Sequence, residues 1–180
     1  MTAPRRSMIR RFLGDRRGVA ALEFALVAPM LFAVMFSTIE AGWTMVQTIM
    51  LDRALDKTVR SLRIGAIANP TQETLRAALC SEALVLVDCN NMLTLEFVPL
   101  PANATAADYP SDSARCVNRN TAIKPVLRFD TGGRAKTVFV RACFVVEPLT
   151  PGLGLGLALP KDETGAQRII AKSGFVNEPL

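Results

Sequence analysis

From Val19 to Phe36 the chain runs with a single charge, Glu23, and six arginines stand directly before that run (Arg5, Arg6, Arg10, Arg11, Arg16 and Arg17) against one acid, Asp15. No other feature constrains the fold so strongly. Taken as far as Ile39, the apolar segment makes a helix of about 32 Å at roughly 1.5 Å per residue. A bilayer's hydrocarbon core is about 30 Å thick. The arginines before the segment predict a cytoplasmic N-terminus, with the chain translocated after about residue 42. Trp43 falls where an interfacial aromatic anchor is expected. The expected organisation is a basic cytoplasmic leader over 1–18, a transmembrane helix over 19–42 and a periplasmic α+β domain over 43–180.

Charge separates these parts. The net charge of +5 resides entirely in residues 1–18; the remainder carries equal numbers of basic and acidic side chains. A nucleic-acid-binding domain would carry its positive charge on a folded face, so no nucleic-acid partner is expected. An ordinary cleaved secretory signal fits poorly as well. The apolar run is long for one, and Thr38-Ile39-Glu40-Ala41-Gly42-Trp43 is a poor cleavage site.

The junction itself reads Arg16-Arg17-Gly18-Val19-Ala20-Ala21-Leu22-Glu23-Phe24. A basic stretch ends in glycine, which offers a protease an accessible backbone. An apolar helix follows at once, with a glutamate at its fifth position. A carboxylate within the apolar span costs on the order of 3 kcal/mol on insertion scales, which calls for a partner. This junction resembles the prepilin-peptidase site of type IV pilins. With the continuation Ala25-Leu26-Val27-Ala28-Pro29 it resembles more narrowly the TadE-like proteins of tight-adherence (Tad) pilus systems. The ending Ile169-Ile170-Ala171-Lys172-Ser173-Gly174-Phe175-Val176-Asn177-Glu178-Pro179 resembles the closing strand of such chains.

The resemblance implies cleavage after Gly18, a new N-terminus at Val19, and recognition through Glu23 and Phe24. Glu23 would then lie one helical turn from that amine, within reach of the amine of a neighbouring subunit. Pro29 removes a ladder hydrogen bond and is expected to bend the helix. Implied partners are the membrane, the prepilin peptidase, other pilus subunits and the inner-membrane assembly platform. The implied role is a minor pseudopilin or assembly component of a Tad-type (type IVb) pilus in the bacterial inner membrane. The alternative is an uncleaved bitopic envelope anchor without a pilus role.

Beyond the span, Val46, Ile49, Met50, Leu51, Leu55, Val59 and Leu62 recur at helical spacing, with Asp52, Arg53, Asp56, Lys57 and Arg60 on the other face. The helix is expected to continue to Gly65 or Asn69-Pro70, its stripe packing on its own sheet or, in the alternative, between subunits of an assembly. Asn69 is expected to cap a second helix running to about Leu86, with Pro70 at its first position. Strands are expected over 92–98, 125–129, 137–147 and 167–176, giving an antiparallel sheet of about four strands. Gly132-Gly133 reads as a hairpin turn between the second and third. Residues 149–160 form an apolar glycine-alternating loop that lacks the lysine of a phosphate loop.

Cys80, Cys89, Cys116 and Cys143 all follow the apolar segment, as an even count outside the cytoplasm would for two disulfides among three possible pairings. The favoured pairing is Cys80–Cys89, closing a short loop at a helix end, with Cys116–Cys143 tying a loop to a strand. Four buried thiols are the alternative. No cysteine pair has metal-site spacing and the chain has no histidine, so no metal or cofactor is expected. No nucleophile–base arrangement stands out, and no enzymatic activity is expected.

Overall fold

The apolar run and the stripe after it form one unbroken helix, α1 (Val19–Arg63), 45 residues long and about 68 Å from end to end at roughly 1.5 Å per residue. This architecture comes from a computed structural model that describes residues 18–67, 69–110, 115–121 and 125–177. The arginine-rich leader and the Glu178-Pro179 ending lie outside the described residues. Helix α1 closes at Gly65, whose φ of 70° lies in the left-handed region. The Gly65 N–H bonds to the Leu62 carbonyl and the Ala66 N–H to the Ser61 carbonyl. These paired bonds form a Schellman ending, which satisfies carbonyls that the helix leaves open.

Helix α2 (Gln72–Glu82) begins two residues later than the Asn69-Pro70 signal suggests. The reason is a capping box. Thr71 Oγ1 accepts from the Thr74 N–H at 3.1 Å, and the Thr71 N–H donates to Thr74 Oγ1 at 2.9 Å. This reciprocal pair satisfies two helix-end donors and fixes Thr71 as the cap. The helix also stops short of Leu86. Ala83 and Leu86 are buried in an irregular turn, so their apolar surface is covered without a further helical turn. A single-turn helix α3 (Cys89–Met92) leads into the sheet.

The sheet holds β1 (Leu93–Leu100), β2 (Thr137–Val146) and β3 (Gln167–Val176), antiparallel in the order β1-β2-β3. The expected strand over 125–129 contributes only one parallel bridge, Phe129 to Phe97, with the two rings 5.1 Å apart edge to face. The cause lies on the free edge of β1. Phe97 spends its outward N–H on Arg128 and its carbonyl on Asp130. The outward Leu95 carbonyl accepts from Gln72 Nε2 at 3.0 Å, and the next outward position, Pro99, has no N–H to give. Little of this edge is left for a fourth strand to pair with. Gly132-Gly133 is accordingly not a hairpin turn; β2 pairs with β1 and β3 instead.

One face of this sheet packs on α1 and α2. Leu51, Ala54, Leu55 and Val59 of α1 and Leu75 and Leu79 of α2 close over Leu95, Phe97, Val140, Phe144, Ile169 and Phe175. The buried positions on α1 recur at three and four residues, and the charged stripe faces away, as amphipathic packing requires. The sheet's other face carries a smaller cluster of Val117, Val145 and Ala166. There too Arg141 Nη2 meets Glu96 Oε2 at 2.5 Å across β1 and β2, both side chains largely buried.

Both expected disulfides are present, Cys80–Cys89 joining α2 to α3 and Cys116–Cys143 tying a loop to β2. Restricting the unfolded chain over 9 and 27 residues contributes about 2.5 and about 3.5 kcal/mol on a chain-entropy model.

Candidate functional site

The N-terminal half of α1 projects from the domain with little protein around it. Leu22, Phe24, Leu26, Val27, Met30, Leu31 and Val34 point around the helix and all are exposed, Met30 by 76%. A helix apolar on all sides needs an apolar surround. Its most apolar window has a mean hydropathy of 2.2 and is long enough to cross a membrane once.

The residues of the junction sit at the start of this bare segment. Gly18 precedes the first turn, its carbonyl accepting from the Leu22 N–H at 3.1 Å. It offers no side-chain cap, and the first turn holds no acid. Val19 and Phe24 are exposed, and so is Glu23 one turn along. Glu23 has no ion-pair or hydrogen-bond partner among the described residues. The helix passes through Pro29 without a break.

A second glutamate on the same helix has the opposite surroundings. Glu40 is 1% exposed. Its Oε1 accepts from the Leu149 N–H at 3.1 Å, and its Oε2 accepts from the Thr150 N–H at 2.7 Å and from Thr150 Oγ1 at 2.8 Å. Three donors offset much of the cost of burying a carboxylate. One turn back, Ser37 Oγ donates to the Ala33 carbonyl and accepts from the Leu155 N–H at 2.9 Å. The 149–160 segment is therefore not a free loop. It carries a short helix, α4 (Gly154–Ala158), laid against α1.

Two of the segment's glycines are steric. Gly154 has a φ of 53°, and a Cβ there would stand 2.4 Å from Ser37 Oγ and 2.8 Å from the Ala33 carbonyl oxygen. A Cβ on Gly156 would stand 2.1 Å from the Thr150 carbonyl oxygen.

Sequence reading treats Glu40 only as part of a poor cleavage site. A signal was available. The buried stripe Leu51, Leu55, Val59 extends backwards at spacings of three, four and seven through Gln47, Glu40, Ser37 and Ala33. Gln47 is buried too. Beside it lies an apolar cavity of about 380 Å³, lined by Trp43, Met92, Phe144 and Leu149 among others.

On the far side of the sheet, Arg115, Arg128, Glu96, Asp108 and Tyr109 line a polar cleft of about 410 Å³. Hydrogen bonds from the Thr105 N–H and hydroxyl hold the Asp108 carboxyl below its usual range. No group of acids and cysteines is placed to hold a metal ion among the described residues.

Fold and helix together define a class: a small α+β domain built on the continuation of a single apolar N-terminal helix. Residues 18–60 match the family model described as TadE-like protein. That match begins on Gly18, takes in Glu23, Phe24, Pro29 and Glu40, and ends within α1, so the chain carries TadE-like sequence over about a quarter of its length. No curated protein matches the chain, and neither does any solved structure.

Proposed function

We propose that the protein is a minor pseudopilin or assembly component of a Tad-type pilus, cut after Gly18 by a prepilin peptidase. The observation that carries this reading is the bare apolar half of α1, with Glu23 unpartnered among the described residues, inside a TadE-like match that starts on the glycine. Before assembly the helix holds the chain in the bacterial inner membrane, leader in the cytoplasm and α+β domain in the periplasm. In the assembly, Glu23 receives the Val19 α-amine of a neighbouring subunit. A charge-assisted contact of this kind sets register between helices. The role is structural, with no catalytic step.

Intact-mass analysis of membrane-extracted protein from cells that contain the peptidase tests the cut. Loss of residues 1–18 is expected; their retention supports the uncleaved envelope anchor instead. Glu23→Ala tests the pairing. This variant inserts at least as well as the parent, because the cost of about 3 kcal/mol is removed, yet pilus production falls to background. Normal piliation would remove Glu23 from the mechanism.

A further inference from the structure

From Pro148 to Pro160 the chain carries no charge, and it alternates leucine with small residues. Three of its leucines, Leu149, Leu153 and Leu157, stay exposed, Leu157 by 66%. Single exposed leucines are ordinary on a protein surface. These differ in where they are held. The segment is docked on Ala33, Ser37 and Glu40 of α1, and the apolar run continues to Ile39. Ala33 and Ser37 thus lie about 9 and about 3 Å inside the end of that run, at roughly 1.5 Å per residue. Elements that lie in a membrane interface bury their apolar faces by about 5–10 Å.

Part of the segment's backbone is arranged to match. Irregular backbone near hydrocarbon is tolerated only where its N–H and C=O groups are satisfied by protein. Here the Leu149 and Thr150 N–H groups go to Glu40 and the Leu155 N–H goes to Ser37. The Leu153 N–H bonds to the Thr150 carbonyl and the Leu159 N–H to Leu155. Nearest in sequence, Glu147 and Lys161 are the flanking charges.

We propose that residues 149–158 are a second membrane contact. Clasped to α1 by Glu40 and Ser37, the leucine-bearing segment sinks into the leaflet nearest the α+β domain and fixes that domain's tilt on the bilayer. This rests on α1 spanning the membrane; the occupant of the leucine face is lipid.

The chain has a single tryptophan, Trp43, so Trp43→Phe in the full-length protein gives a background for reporters. Three are introduced singly: Leu157→Trp on the segment, Met30→Trp in the middle of the bare helix, and Val126→Trp, which is 89% exposed on the domain. Each protein is reconstituted into phosphatidylcholine vesicles with brominated acyl chains, after a nonreducing gel establishes that both disulfides are intact. Strong quenching is expected for Leu157→Trp, close to that of Met30→Trp and severalfold above Val126→Trp. Quenching of Leu157→Trp no greater than that of Val126→Trp, with Met30→Trp quenched, overturns the proposal and leaves the span standing. A blue-shifted but unquenched Leu157→Trp means that protein covers the leucines, and also overturns it. If Met30→Trp is unquenched as well, the span fails and the second contact fails with it.

Discussion

Glu23 and Glu40 lie on one helix, seventeen residues apart, in opposite circumstances. Glu23 is exposed and unpartnered among the described residues in a segment that touches almost nothing. Glu40 is buried and accepts three hydrogen bonds from a loop more than a hundred residues away in sequence. The contrast extends to the helix halves that hold them. The first half is apolar all round, and its stability must come from outside the chain. The second is amphipathic and its apolar stripe is already closed over the sheet. One continuous element therefore serves two ends: a projecting half left open to lipid or other helices, and a half that forms part of the domain's core.

The sharpest way to break this division is to truncate one leucine in each half. Leu55 is 1% exposed and Leu26 is 68% exposed. Leu55→Ala leaves a cavity between α1 and the sheet and is expected to destabilise the domain by about 3 kcal/mol. Thermal unfolding in detergent micelles reads this as a drop of several degrees. Leu26→Ala should leave the same transition unmoved. Equal effects from the two would mean that the projecting half is part of the domain's cooperative unit.

A smaller effect is expected at the clasp. Glu40→Ala strips the acceptor from two backbone N–H groups and one hydroxyl, at a cost of about 2 kcal/mol. That cost is local, because β2 and β3 hold their register through their own ladder. Limited proteolysis is expected to cut within 149–160 much faster in the variant, with the unfolding transition little changed. Unaltered cleavage would show that the Ser37 bond and the apolar contacts keep the segment docked without Glu40.

How much of this was legible beforehand follows from the range of the interactions. Local signals gave α1, the closing strand over 167–176 and both cysteine pairs, because periodicity, alternation and a nearby partner decide them. The fourth strand failed for a reason outside its own residues: whether 125–129 can pair depends on Pro99 and Gln72 at the edge of β1. The Asn69 cap lost to Thr71 because Thr74 completes a reciprocal bond. Glu40 was hidden because its partners, Leu149 and Thr150, are brought to it only by the tertiary fold. Its place in the stripe was readable, but a glutamate there reads as a break in an apolar pattern.

Acid offers a milder test on the domain side alone. Burial raises the Asp162 carboxyl, but bonds from the Thr164 hydroxyl and the Ala166 and Thr164 N–H groups, with Arg168 nearby, outweigh it and hold the group below its usual range. A depressed folded value means that the stabilisation is complete above the unfolded value of about 3.9 and is lost as pH falls through the folded one. Protection of the Thr164 and Ala166 amides from hydrogen exchange, taken relative to the intrinsic exchange rate at each pH, should therefore fall on acidification into that window. Asp162→Asn should show faster exchange already at neutral pH and no further acid step there.

The smallest expected effect runs with the opposite sign. Asp52 sits on the charged stripe of α1, its carboxyl raised by partial burial and then by the like charge of Asp56 one turn on. Like charges at this spacing oppose the helix. Asp56 itself accepts from Ser173 Oγ at 3.0 Å, so it is Asp52 that is dispensable. A raised folded value means that ionisation costs stability once pH exceeds it, and that acid relieves the cost. Asp52→Asn should then stabilise the domain at neutral pH, by no more than about 0.5 kcal/mol as for most surface substitutions. The gain should shrink as pH falls below the carboxylate range. Asp56→Asn should gain less, because the Ser173 contact loses its charge. A pair of thermal unfolding series against pH in the same detergent separates the two. Should Asp56→Asn prove the more stabilising variant, the repulsion on this stripe would outweigh the tie that Asp56 makes between α1 and β3.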